Sequence, residues 1–366
     1  SLHDALPISY QQLNVNNYSM TKEKDINPQM LLLARELNGM IIVELAEKLG
    51  ISRSYVNKLE SHAQVINDDL LESISKVLGL PASFFYQEGE MIPSYLSYRR
   101  REKVPAKDIS RIEANINLYR LGIQKLLKHS GHANTNLPHF VTDKNKTPQE
   151  CARTLRKMWR IPKGAIVNLS NILEEQNVIH VCFDFGTDRV DGKSVFIEQN
   201  QPLIFTNSRL FGDRERFTLA YQLGHLVMHS NIENTFGKDI SHEANLFAAE
   251  FLMPEKDIAK DLENGLTIDT LAMLKKKWKC SMISLVYRAN DLELITENQK
   301  RYLEKQFNQM KIRKREPVEL DIPREQPKLL RDIITKYRQR QKLSVKQLAE
   351  FFNLNENDFL DRYNLR

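Results

Sequence analysis

The sequence predicts a mainly α-helical chain with one small β-sheet, an α+β architecture spread over two or three domains. Three observations carry this prediction. Apolar residues recur at helical spacing through most of the 366 residues. Short β-branched and aromatic runs are confined to one stretch, at 178–185, 194–197 and 202–206. Polar or proline-bearing segments at 89–93, 130–148 and 311–327 separate the periodic regions.

Composition narrows the function classes. A hydrophobic content of 41% supports a real core. There is no run of eighteen apolar residues and no basic-then-apolar leader, so neither a membrane span nor secretion is expected. Cys151, Cys182 and Cys280 lie far apart without CxxC spacing, which argues against a disulfide framework and against a thiolate zinc site. A cytoplasmic protein with buried thiols is the expectation. The net charge of +6 suits a nucleic-acid partner. It is unevenly placed: residues 20–90 carry seven Lys/Arg against eleven Asp/Glu, and residues 91–130 carry nine against three.

The elements follow in order. Residues 1–26 read as a tail, with 1–19 aperiodic and Met20 a plausible native start. Residues 27–88 read as five short helices. Asn27 caps the first, Pro28 opens it, and Gly39 ends it. A second helix, 42–49, stops at Gly50, and Ser52 caps a third, 53–60. The small Ala46 permits a close helix crossing, while Val56 and Leu59 point inward. Arg53, Ser54, Asn57 and Lys58 are left on the outer face with Tyr55 beside them. An apolar underside with hydrogen-bonding groups at the N-terminal end is what a major-groove recognition helix requires.

ELAEKLGISRSYVNKLE resembles the helix-turn-helix domains of the lambda repressor/Cro family. The resemblance implies that Arg53, Ser54 and Lys58 face bases and that Tyr55 and Asn57 touch phosphates or bases. Three departures stand out. Ile41 and Ile42 replace the usual Thr-Gln opening of the second helix, Ser61-His62 replaces the usual Asn-Gly, and the domain is acidic, which weakens the salt-dependent part of affinity.

Residues 94–310 form the next unit. A long basic helix is expected over 98–129, a helix over 148–159, the small sheet, helices near 213–230 and 241–253, and further helix to about 310. RERFTLAYQLGHLVMH and SHEANLFAAEFLMP resemble the ImmA/IrrE family of zinc metallopeptidases, which implies a zincin-like α+β domain. A zincin helix holds zinc through two His at i and i+4, and a Glu after the first His acts as base. Under this resemblance the first His is Tyr221, the base is Gln222, the second His is His225 and the third ligand is Ser241. Only His225 survives. A phenol titrates near pH 10 and an amide accepts no proton, so no zinc and no peptidase activity are expected. His225 and His229 share i, i+4 spacing, with His242 and Glu243 on the next helix. Glu243, two residues beyond the expected ligand, is expected to point elsewhere.

After KIRKR at 311–315 and three prolines, residues 328–366 read as a small helical segment. Ser344 caps a helix, NLNEND turns, and Phe359 and Leu360 restart the apolar face, resembling the helix-turn-helix-like end of such regulators. No internal repeat is read. The expected function is a homodimeric, phage-repressor-type transcriptional regulator that binds a double-stranded DNA operator. Its peptidase-like domain would serve as a sensor or bind a protein partner such as a repressor or toxin. The alternatives are an active zinc endopeptidase cleaving a repressor, and a non-enzymatic antitoxin or anti-repressor.

Overall fold

A computed structural model describes residues 26–92, 99–100, 103–132, 137–143, 146–230 and 235–366. The expected tail, Ile26 apart, lies outside these residues. The head contains α1 (Pro28–Leu37), α2 (Ile42–Leu49), α3 (Arg53–Glu60), α4 (Asp68–Leu78) and α5 (Ala82–Phe85). Their ends obey local chemistry. The Asn27 side chain accepts from the Gln29 N–H and donates to the Gln87 and Gly89 carbonyls, tying the two ends of the head together. Gly50 turns the chain at φ +67°, a conformation that costs glycine little. Leu31, Leu45, Val56, Leu59, Ile74 and Phe84 fill the centre. Arg35 on α1 clamps the last turn of α3 through two bonds to Glu60, at 2.6 and 3.0 Å.

Next come strand β1 (Arg99–Arg100) and helix α6 (Ala106–Ser130). The helix expected from residue 98 thus begins eight residues later. Pro105 is the cause: a residue preceding proline is driven out of helical geometry, whereas proline tolerates a helix start. The cations of α6 also turn inward. Arg111 donates to the Phe185 carbonyl at 3.2 Å, Arg120 to Asn117 at 3.0 Å and to the Glu90 carbonyl, and Lys125 to the Phe351 carbonyl. They tie modules together and form no nucleic-acid-facing stripe.

The body contains α7 (Pro148–Met158), α8 (Leu169–Glu175), β2 (Ile179–Phe183), β3 (Val190–Ile197), β4 (Gln201–Asn207), α9 (Gly212–Met228) and α10 (Ile240–Leu252). It continues through α11 (Glu255–Leu262), α12 (Ile268–Trp278), α13 (Met282–Asp291) and α14 (Glu297–Gln309). The sheet order is β1-β3-β4-β2, with β2 parallel to β4 and the other pairings antiparallel. Both faces are covered, so the strands read as continuous apolar runs. Alternation sorts β4: Leu203 and Phe205 face a core shared with the head and α6, while Ile204 faces the core of α7–α14.

The expected second linker is a strap along the body. Glu316 accepts from Lys275 at 2.6 Å, Arg324 donates to Glu215, and Glu325 accepts from Arg216 and from the Ser170 N–H. It leads to α15 (Leu329–Gln341), α16 (Val345–Phe351) and α17 (Glu356–Arg362). This module sits on α6 so closely that a Cβ on Gly122 would lie 2.6 Å from the Tyr363 hydroxyl.

A repeat not read from the sequence emerges here. In α2–α3, Ile51 N–H donates to Ala46, Gly50 N–H to Glu47 and Val56 N–H to Ser52. In α16–α17, Leu354, Asn353 and Phe359 make the same bonds to Ala349, Glu350 and Asn355, a constant offset of 303 positions. Asn353 takes the left-handed turn at φ +53°, the non-glycine choice nature tolerates best there. At that offset Arg53 corresponds to Glu356 and Lys58 to Asp361, so the outward charges are reversed.

Candidate functional site

The recognition helix stands as expected. Arg53, Ser54, Asn57 and Lys58 are exposed and Tyr55 is half-buried, while Val56 and Leu59 are sealed beneath them. Burying those two side chains stabilises the helix seat by about 1.5–3 kcal/mol each. Ser52 Oγ accepts the Tyr55 N–H at 3.1 Å, fixing the first turn. Ile41 offers no acceptor at the start of α2. Instead the Glu44 carboxylate accepts the Ile41 N–H at 2.7 Å, a bond that, with Lys107 nearby, holds its pKa below the usual carboxylate value.

The second candidate lies on α9. Phe217, Tyr221, His225 and His229 recur every fourth residue and so share one helix face. Ring centroids are 4.7 Å apart for Tyr221–His225 and 5.0 Å for His225–His229. Glu243 on α10 lies 2.9 Å from His229 Nε2, and His229 Nδ1 lies 3.0 Å from His225 Nδ1. Glu243 was expected to point away. It reaches His229 because α10 packs along α9, so a residue on its first turn meets the end of the helix beside it. Thr142 donates to the same Glu243 oxygen at 2.8 Å and Lys238 donates to Thr142 at 2.8 Å.

This chain sets the tautomers. A carboxylate accepts, so His229 donates from Nε2 and accepts at Nδ1; His225 must then donate from Nδ1. His225 Nε2 is left a bare acceptor, buried and without a partner. Burial, reinforced by His229, pushes the His225 pKa down to about 3, and burial also lowers that of His229.

Tyr221, Gln222, His225 and Ser241 lie close together, but as a hydrogen-bonded set. Tyr221 and Ser241 bond to each other through their side chains, and burial raises the phenol's pKa further. The Gln222 amide donates to the Gly192 carbonyl at 3.0 Å and accepts from Ser194 at 2.8 Å, stapling α9 to β3. A catalytic zinc requires three protein donors and a base for its water. One imidazole nitrogen is suitably set, two neutral hydroxyls bond to each other, and the base position is an engaged amide. Among the described residues no group of three His, Cys, Asp or Glu side chains could hold a metal ion. The residues present do not fit zinc.

Two comparisons bear on these sites. Residues 31–85 match the helix-turn-helix family, and residues 174–290 match the IrrE N-terminal-like domain of the M78 peptidases. The chain joins a helix-turn-helix head to an IrrE-like domain. No curated protein matches it. The head match spans α2 and α3 and supports DNA binding. The IrrE-like match spans the sheet, α9 and α10, and therefore Tyr221, Gln222, His225 and Ser241. Ser194, Thr142 and Arg99, which also contact this network, gave no sequence signal, because their partners lie 28 or more positions away. No helix among the described residues is long and apolar enough to cross a membrane.

Proposed function

We propose that this chain is a cytoplasmic transcriptional regulator of phage-repressor type, reading a double-stranded operator as a homodimer. Its IrrE-like domain acts as a non-catalytic module that binds a protein partner or senses a signal. The observation that carries the reading is the exposed Arg53, Ser54, Asn57 and Lys58 face on a helix whose underside is fully packed. Paired half-sites are the rule for such heads, which is why a dimer is proposed. The altered donor set around His225 supports the non-catalytic assignment.

Selection from a randomised duplex pool, followed by titration at several salt concentrations, tests the reading. A two-fold symmetric sequence should emerge, bound less tightly as salt rises. Recovery of no sequence above the starting pool, at low salt, would overturn it.

A further inference from the structure

We propose that strand β1 occupies, within its own chain, a groove that takes an extended arginine-bearing peptide from a partner protein. The inference rests on reading the IrrE-like domain as a partner-binding module, and it names the chemistry of the partner. β1 lies antiparallel to β3, pairing Arg99 with Gly192 and Arg100 with Val190. Gly192 is the residue whose carbonyl accepts from Gln222, so this short strand lies directly beside the altered zinc cleft.

The Arg99 side chain reaches into that cleft. Its guanidinium carbon is 4.4 Å from the Phe217 ring centroid and 5.1 Å from that of Tyr221. Its Nε is 3.5 Å from the Asp191 carboxylate, which is fully buried and also bound by Arg214 at 2.6 Å. Two aromatic faces and a buried carboxylate make a seat selective for a planar, delocalised cation over an ammonium. One rung further along α9 sits His225 with its bare, buried Nε2, an acceptor still open to a donor from an incoming chain.

Two features make the occupant exchangeable. The β1–β3 pairing is two residues long and broken by a register shift, so few backbone bonds hold it. Arg99 keeps 21% of its side chain exposed, which leaves a path out of the seat. Adding a strand at a sheet edge, with one side-chain pocket for specificity, is an established mode of peptide recognition. Because β1 lies between the head and α6, its displacement frees the tether of the head and couples partner capture to DNA reading.

The test uses the full chain and a fluorescent peptide with the sequence of residues 97–103. The Arg99→Ala variant should bind this peptide at least tenfold more tightly than the unaltered chain does. A peptide with alanine at the Arg99 position should lose that binding, and so should a chain that carries Asp191→Asn together with Arg99→Ala. Equal binding by both chains, or indifference to the peptide's arginine, would overturn the proposal. Should Arg99→Ala not fold, Arg99→Lys takes its place, because an ammonium stacks less well and should also admit the peptide. Operator binding is measured separately, so a head that selects no DNA leaves the peptide result standing, and the reverse.

Discussion

Arg53 and Lys58 stand free above a sealed helix floor, so truncating either removes a contact without disturbing the fold. Arg53→Ala or Lys58→Ala should weaken binding to the selected operator by roughly 10- to 100-fold, measured by fluorescence anisotropy, with the denaturation midpoint unchanged. Gln222 behaves oppositely. Restoring a carboxylate there, Gln222→Glu, sets an anion against the Gly192 carbonyl and removes the donor that satisfied it. Urea denaturation should show a loss of about 1–3 kcal/mol, and no peptidase activity should appear. His225 contributes a pH dependence of calculable sign. Its folded pKa of about 3 lies below the ordinary 6.5, so between these values the unfolded chain binds a proton that the folded chain refuses. Stability should be full above roughly pH 6.5 and fall progressively toward pH 3. Denaturation midpoints at pH 7.5 and 5 should differ, and the difference should shrink in His225→Gln.

At the scale of elements, legibility followed locality. The head was readable because its helix starts and stops are chemical signals a few residues long: Asn27, Gly39, Gly50 and Ser52 each act where they stand. The mainly helical fold and the strand-bearing stretch were readable from periodicity for the same reason. The start of α6 was misplaced because apolar spacing outweighed Pro105. The altered zinc positions could be aligned, but their new partners could not, since Gln222 bonds across the sheet to Ser194 and Glu243 bonds across a helix pair to His229. The second turn of the α2–α3 type escaped notice because Asn353 stands where glycine marked the first. Its outward residues, Glu356 and Asp361, repel phosphate, so α17 should take no part in DNA reading. Neutralising them by Glu356→Gln and Asp361→Asn should leave operator affinity within about twofold or raise it slightly, in the salt titration that detects Arg53→Ala.

For the whole molecule, α6 is the shared support. Its buried residues face the head, the inner side of the sheet and the C-terminal module within one continuous core. A chain ending after residue 327 would bare the surface around Gly122, Ile123 and Leu126. It should melt at lower temperature and aggregate, as scanning calorimetry and light scattering can check. The head should likewise depend on α6, so DNA-binding measurements belong to the intact chain.

The strap at 316–325 has a topological outcome. The polypeptide leaves α6, runs through the IrrE-like domain, and comes back along the Glu316, Arg324 and Glu325 fastenings to rest against the helix it departed from. Its ends are thus joined through space by packing as well as through the backbone. A single protease cut between Pro327 and Leu329 would not release the last helices; both fragments should coelute on gel filtration and separate only in denaturant.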